Sequence, residues 1–324
     1  MLLSLRYCLL MVVLLLLLFV VALLVGHQTL TVPDLWLLVQ GQATPLQKIV
    51  VWELRIPRNV LALLVGAALA TAGAIMQGVT RNPLASPGLT GVVAGASFVI
   101  VLLVSVGSVD AHWLPVAGFV GGIGAGCLTF YLAWQGRLLP LRIVLAGVAV
   151  TALCAAISTA LLLFSGAEAG DLFYWLAGGL SGRGWLQVGQ SWYWIVFPML
   201  LSFVLVQRFN LLLLDDDIAR SLGMAVGRWR LLFLLLAVLM TAAVVSVAGP
   251  VGFVGLVIPH ISKRLLGQQH PFWLPFTALL GALILLCADL LARLSAFPQE
   301  IPLGVITALL GGPWLLLLIR RGLA

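Results

Sequence analysis

Long apolar runs free of charged residues follow one another along almost the whole chain. A helix needs about 20 apolar residues, with a range of about 17 to 25, to cross a bilayer. Runs close to this length, the seventh of them extendable through Asp289, occupy residues 8–25, 59–80, 89–106, 114–132, 143–165, 190–206, 274–287 and 302–319. Short polar stretches separate them. The pattern predicts a bundle of membrane-spanning α-helices, the first of them an uncleaved N-terminal span.

One further run, residues 231–262, is too long for a single span. As one helix it would extend about 48 Å, against a hydrocarbon core of about 30 Å. Gly249-Pro250 interrupts it, and proline disfavours helix at its own position and the one before. Basic residues flank both ends, so we expect the chain to cross and return, with the second helix reaching about Gly267. A short or partly re-entrant second arm is the alternative. The total is about ten spans.

The basic residues predict the orientation, because Lys and Arg are enriched on the cytoplasmic side. With a cytoplasmic N-terminus, twelve fall inside: Arg6, Arg81, Arg137, Arg142, Arg208, Arg220, Arg228, Arg230, Lys263, Arg264, Arg320 and Arg321. Five fall outside: Lys48, Arg55, Arg58, Arg183 and Arg293. Both termini are therefore expected in the cytoplasm.

Composition supports a membrane protein and excludes a soluble class. The 324 residues are 63% hydrophobic and only 8% charged, and the mean hydropathy is +1.20, whereas soluble domains carry about 25% charged residues. The net charge of +7 reflects the orientation of the chain in the membrane and does not indicate nucleic-acid binding. The four cysteines lie in or beside apolar runs without metal-ligand spacing, so we expect neither a metal site nor a disulfide.

Few polar groups lie within the predicted spans. Small residues at helical spacing, Gly66, Ala70 and Ala74, predict close helix packing. Intramembrane ionisable groups are functional candidates, but Asp289 can pair with Arg293 four residues later on the same helix.

If this chain moves a substrate uphill, we expect the energy to enter from outside the bilayer. A secondary transporter usually carries ion-coordinating groups near the midplane, and an intramembrane enzyme needs a catalytic constellation; neither is evident. The phosphate-binding motif G-x-x-x-x-G-K-[S/T] is also absent, so an ATPase would be a separate chain.

Two polar segments are candidates for partner binding. The loop at about 207–230 carries three acids, Asp215 to Asp217, at the start of a short predicted helix, and Gly223 is placed to end it. An ATPase could dock there, although an ordinary capped loop helix explains the same residues. Outer-side arginines could pair with acidic groups of a partner or could be snorkelling at helix ends.

Several ordered motifs resemble the FecCD-type permeases, the membrane subunits of iron–siderophore, haem and vitamin B12 ABC importers. In the first half these are Arg55-Ile56-Pro57-Arg58, residues 66–73 (GAALATAG) and residues 81–88 (RNPLASPG). In the second half they are residues 219–223 (ARSLG), 249–260 (GPVGFVGLVIPH), 288–293 (ADLLAR) and 302–305 (PLGV). The resemblance covers nearly the whole chain, in order.

The resemblance implies an all-α, polytopic bacterial inner-membrane protein with the ABC type II importer permease fold, one transmembrane domain over residues 1–324. Its implied partners are a second permease subunit, identical or similar, two cytoplasmic ATP-binding subunits and a periplasmic substrate-binding protein. Arg55, Arg58 and Arg293 would dock the binding protein. The ATPases would contact Asp217, Ile218, Ala219, Arg220, Ser221, Leu222, Gly223, Pro259 and His260. ATP hydrolysis would belong to the partner chains, and no cofactor is implied.

The implied transport pathway runs along the dimer interface beside the fifth span, with Pro140, Thr151, Ser158 and Thr159 as candidate lining. An iron(III)-siderophore-type chelate is the expected cargo, and residues 173–179 (FYWLAGG) resemble the ferric-citrate branch. Vitamin B12 and haem stay open as substrates. An ATP-independent secondary transporter is a more distant alternative.

Overall fold

The computed structural model describes residues 2–26, 29–107, 110, 112–135, 138–164, 175–267, 271–296 and 299–320, and within these residues it is helical without a β-strand. The first half contains α1 (Leu2–Leu24), α2 (Val32–Val39), α3 (Pro45–Lys48), α4 (Ile56–Thr80), α5 (Val92–Val106), α6 (Leu114–Ala133) and α7 (Pro140–Phe164). The second half contains α8 (Trp185–Val204), α9 (Val206–Leu212), α10 (Asp216–Ser221), α11 (Val226–Ala248), α12 (Val254–Leu266), α13 (Trp273–Leu294) and α14 (Leu303–Arg320).

Six helical stretches of the described chain are long and apolar enough to cross a membrane: α1, the continuous stretch Pro45–Thr80, α6, α7, α11 and α13. The pair α8 and α9 passes the same test as a unit, although it bends by 71°. Helix α5 and the apolar part of α14, Leu303–Leu317, are shorter. The chain is thus a multi-pass membrane protein, and the count of ten spans stays a prediction.

Helix α4 lies at the centre of the bundle, packed against α8, α11, α12 and α13. The predicted close packing of small residues is confirmed there. A Cβ atom added at Gly66 would overlap the carbonyl oxygen of Gly281 on α13, and one at Gly73 would overlap that of Gly255 on α12. Because no side chain intervenes, the backbones touch and dispersion contacts hold the helices together.

The predicted break in the long apolar run is confirmed. Helix α11 ends at Ala248, Gly249 takes a left-handed φ of 66°, and α12 ends before Gly267. At 13 residues, α12 is about 20 Å long. This length fits the alternative of a short second arm better than a full second crossing. It is too short to cross the hydrocarbon core alone.

The unwound backbone at this break is satisfied by neighbouring segments. Gly179 donates its N–H to the carbonyl of Ala248 at 2.8 Å, and Gly304 donates to Gly178 at 3.1 Å. Irregular backbone is tolerated at membrane depth only where protein supplies such partners. Residues 175–179 of the FYWLAGG segment therefore have a packing role. Residues 173 and 174 lie outside the described residues, as do Arg137, Ser165 and Arg321.

Candidate functional site

At one end of α4, Arg58 joins two carboxylates from distant parts of the chain. Its Nε and Nη2 donate to Oδ1 of Asp289 at 3.1 and 2.9 Å, and its Nη1 donates to Oε1 of Glu300 at 2.8 Å. The Asp289 side chain is fully buried. Burial alone would raise the pKa of Glu300, but the hydrogen bond and positive charge of Arg58 outweigh burial and lower it. Both carboxylates therefore serve as internal counterions.

The predicted pairing of Asp289 with Arg293 on α13 is confirmed. Arg293 donates from Nε to Oδ2 of Asp289 at 2.8 Å, and its Nη2 contacts the same oxygen. Nη2 also donates to Oδ1 of Asn59 at 2.6 Å. Arg55 ends the π-helical segment before α4 and donates to the carbonyls of Leu23 and Leu24. The three arginines predicted to dock a partner thus also link α1, α4 and α13 within this chain.

These side chains line a cavity of about 430 Å³, called here the arginine cleft. Its charged lining consists of Arg55, Arg58, Arg183, Arg293, Glu53 and Glu300. Among the described residues, the buried Nε of Arg183 has no hydrogen-bond partner. Burial lowers the pKa of Arg183, yet an arginine stays protonated in proteins. The cleft therefore presents a cation that the described chain leaves without a carboxylate.

At the other end of α4, the predicted loop helix is confirmed as α10, Asp216–Ser221. Gly223 ends it with φ 78°, donating to the carbonyl of Arg220 at 2.9 Å, and Met224 donates to Ala219 at 3.1 Å. These two bonds form a Schellman motif. Ile218 and Leu222 are 50% and 59% exposed, so one face of α10 offers two apolar side chains to a partner.

Asp216 holds α10 against the rest of the bundle. Its Oδ1 accepts from Nη2 of Arg81 at 2.6 Å and from Nη2 of Arg230 at 2.9 Å, and its Oδ2 lies 3.6 Å from Nη2 of Arg220. Asp217, by contrast, is 96% exposed and pairs with Arg220 alone among the described residues. We call Asp216 with these three arginines the Asp216 cluster.

The remaining predicted residues lie on α12 and α7. Pro259 is buried, and the buried Nε2 of His260 has no partner among the described residues. On α7, Ser158 and Thr159 donate to the carbonyls four residues before them, at 2.8 and 2.9 Å. The Thr151 hydroxyl is buried without a partner in the described chain.

Most of α7 beyond these hydroxyls is an exposed apolar surface. Leu141 is 70%, Leu145 60%, Leu153 58% and Phe164 87% exposed. Pro140 is the first residue of this helix. A membrane protein leaves such a surface to lipid or to another subunit, so α7 is available for either.

Sequence reasoning did not single out Asp216, Arg183 or Glu300. Asp216 stands between two other acids, and nothing local separates it from Asp215 or Asp217. Arg183 and Glu300 lie in loops; the ion-pair partner of Glu300, Arg58, is 242 positions away, and Arg183 has no carboxylate partner in the described chain. For Arg183, the sequence offered one indication: it is a basic residue on the side of the membrane where the orientation rule expects few.

The sequence is similar to those of known transport proteins. Residues 14–321 match the model of the FecCD transport family. The Fe(3+) dicitrate permease FecD of Escherichia coli (strain K12) is 40% identical over 93% of this chain and 94% of its own length. The Fe(3+)-citrate permease YfmD of Bacillus subtilis (strain 168) is 38% identical over 85% of this chain and 83% of its own length.

A solved structure extends the likeness to three dimensions. It is described as a metal-chelate type ABC transporter in an inward-facing conformation, is 31% identical and superimposes with a TM-score of 0.89 over 98% of this chain and 99% of its own. The predicted resemblance is confirmed: this chain is a member of the FecCD transport family.

Proposed function

We propose that this chain is the permease subunit of an ABC importer that moves an iron(III)-siderophore-type chelate across the bacterial inner membrane into the cytoplasm. One observation carries the proposal: a single buried helix, α4, connects an arginine cleft at one end to an exposed, capped loop helix at the other. An importer driven from outside the bilayer needs one surface that binds the protein delivering the cargo and another that binds the ATPase. Relatives named as permeases for citrate-bound and siderophore-bound iron support the substrate class.

The α10 end is the proposed docking site for a cytoplasmic ATPase. Ile218 and Leu222 stand one helical turn apart and are exposed, a spacing that suits insertion of a short helix into an apolar groove. The proposed contact comprises residues 217–223 together with Pro259 and His260 on α12. Two ATP-binding subunits, one for each permease of a dimer, would supply the hydrolysis. The chain itself would not hydrolyse ATP.

The arginine cleft is the proposed docking site for a periplasmic binding protein. Guanidinium groups bind carboxylates in a bidentate geometry, so acidic side chains on the binding protein would suit Arg55, Arg58 and Arg293. Because Asp289 and Glu300 already neutralise Arg58, an incoming carboxylate has a stronger attraction to Arg183. We therefore add Arg183 to the docking set.

The exposed apolar face of α7 is the proposed boundary with a second permease subunit, identical or similar. The transport pathway would run beside it, with Pro140, Thr151, Ser158 and Thr159 near the lining. Alternating access would follow from ATP-driven movement at α10. A weakly polar lining suits a bulky chelate that the binding protein has already selected.

Uptake of radiolabelled ferric chelates, ferric citrate first, tests the proposal in cells that lack this gene and in cells where it is restored. We expect uptake of one chelate to be lost and then rescued only when the partner ATPase is active. A matched strain carrying the permease with a hydrolysis-deficient ATPase provides the control. Unchanged uptake of every iron chelate would contradict the substrate, and rescue independent of any ATPase would contradict the importer class.

A further inference from the structure

We propose that Asp216 is the positioning residue that connects the loop helix α10 to the transmembrane helices α4 and α11. The inference rests on the proposed function, since it assigns α10 the task of transmitting movement from an ATPase. It concerns a carboxylate that lies beside the proposed contact residues 217–223 and faces the bundle.

The three arginines around Asp216 come from three different elements. Arg81 directly follows α4, Arg230 lies in the second turn of α11, and Arg220 belongs to α10 itself. Arg230 is 4% exposed and also donates to the carbonyl of Leu138 at 3.0 Å. Asp216 therefore ties α10 to two long helices and, through Arg230, to the segment before α7.

Few other contacts attach α10 to the bundle. Arg81 also donates to the carbonyl of Leu214 and lies 3.5 Å from Oδ1 of Asp215, both just before α10. Ala219 is the one buried residue of α10 in the described structure, and a single methyl group buries little apolar surface. Charge-assisted hydrogen bonds are stronger than neutral ones, and those of Asp216 are partly shielded because its side chain is 27% exposed. Within α10, the ion pairs to both Arg81 and Arg230 come from this one carboxylate.

Asp216 stays ionised under physiological conditions. Burial alone would raise its pKa, but the hydrogen bond from Arg230 and the charges of Arg230, Arg81 and Arg220 outweigh burial and lower it. A carboxylate whose pKa is lowered on folding contributes stability that is present at neutral pH and lost only on strong acidification. The carboxylate is therefore available to all three arginines at neutral pH.

The neighbouring acid provides a matched control. Asp215 is one residue away, has the same chemistry, is 82% exposed and lies outside the proposed ATPase contact; its one ion pair in the described structure is the 3.5 Å contact with Arg81. Asp216→Asn and Asp215→Asn each remove one negative charge with almost no change in volume. Only the Asp216 variant removes the carboxylate that joins Arg81 to Arg230, so a difference between the two variants reports this link rather than the loss of charge.

The test uses the complete complex, with its ATPase subunits and loaded binding protein, reconstituted in proteoliposomes. The measured quantity is chelate imported per ATP hydrolysed. We expect Asp216→Asn to lower it roughly 2- to 30-fold, the range that mutations along a coupling network produce, while Asp215→Asn stays near wild type and Asp216→Glu recovers part of the loss. Equal import per ATP in the Asp216→Asn and Asp215→Asn complexes would overturn the proposal.

A second readout does not depend on transport. Amide hydrogen exchange of residues 213–225 is expected to accelerate in Asp216→Asn and not in Asp215→Asn, because only the Asp216 variant loses the carboxylate shared by Arg81 and Arg230. Unchanged exchange in both variants would also overturn the proposal. If wild type shows no ATP-coupled import, the proposed function fails while the exchange measurement still decides whether Asp216 holds α10. Should Asp216→Asn fail to reach the membrane, Arg81→Gln tests the same link from the half-exposed side of the pair.

Discussion

Arg58 and Arg81 stand at opposite ends of the buried helix α4, and each holds a carboxylate from a distant part of the chain. The helical rise of about 1.5 Å per residue separates them by about 35 Å along the axis. One end thus belongs to the arginine cleft and the other to the Asp216 cluster. A rigid helix between two ion-pair clusters is a direct physical route for coupling an event at one surface to the other.

Arg183 offers the cleanest test of binding-protein docking. We expect Arg183→Gln to leave the melting temperature near wild type, because the described chain gives this side chain no partner to lose, and to weaken docking in a salt-sensitive way. Affinity for the binding protein at low and high ionic strength measures the effect. Lys48→Gln, which removes an exposed charge elsewhere on the same predicted side, is the control. Docking unchanged by the substitution at low salt would remove Arg183 from the site.

Arg58→Glu is expected to affect both folding and docking. The substitution would place a third carboxylate beside buried Asp289 and part-buried Glu300. Asp289 would keep Arg293 as its partner, whereas Glu300 would lose its cation, and the new carboxylate would repel both. Removing one partner of a buried ion pair costs about 3–5 kcal/mol, so the melting temperature and the amount of protein in the membrane should fall. Thermal unfolding of the detergent-solubilised protein measures this. A variant with wild-type stability but impaired docking would show that Arg58 acts at the surface alone.

Gly223 is expected to matter for its backbone conformation. Its φ of 78° is left-handed, and a Cβ there would meet no atom within 4 Å, so the cost of a side chain is conformational, about 1–2 kcal/mol. Gly223→Val should leave membrane insertion intact and lower chelate imported per ATP. Gly223→Asn is the control, since asparagine tolerates this conformation. Equal coupling in the two variants would contradict the role given to the C-terminal cap of α10.

Gly73 should be intolerant of even one added carbon. Its Cβ would overlap the backbone carbonyl of Gly255, and a backbone atom cannot rotate away. We expect Gly73→Ala to separate α4 from α12 at a cost of about 1–3 kcal/mol and to reduce the amount of folded protein. Gly124→Ala, at an exposed position of α6 with no atom within 4 Å, is the control. Fluorescence-detected size-exclusion chromatography after heating compares the two, and equal survival would argue against direct backbone contact.

Features that depend on neighbouring residues could be predicted from the amino-acid sequence. Apolar run lengths identified the long helices, Gly249-Pro250 located the break after α11, and Gly223 located the end of α10. The pairing of Asp289 with Arg293 followed from their spacing of four residues on one helix. Each of these rests on local geometry, because helical periodicity and backbone preference act over a few positions. The bend between α8 and α9 escaped detection, since no proline or glycine stands at Leu205.

Which charges meet across the chain depends on how the helices pack. Arg58 and Asp289 are 231 positions apart, and Arg81 and Asp216 are 135 apart. Their pairing requires α4 to pack beside α13 and α11, which depends on many small contacts such as those of Gly66 and Gly73. The acid triple 215–217 looked uniform in sequence, yet packing leaves Asp217 in solvent and turns Asp216 toward three arginines. These ion pairs form only once the helices that carry the charged residues have packed together.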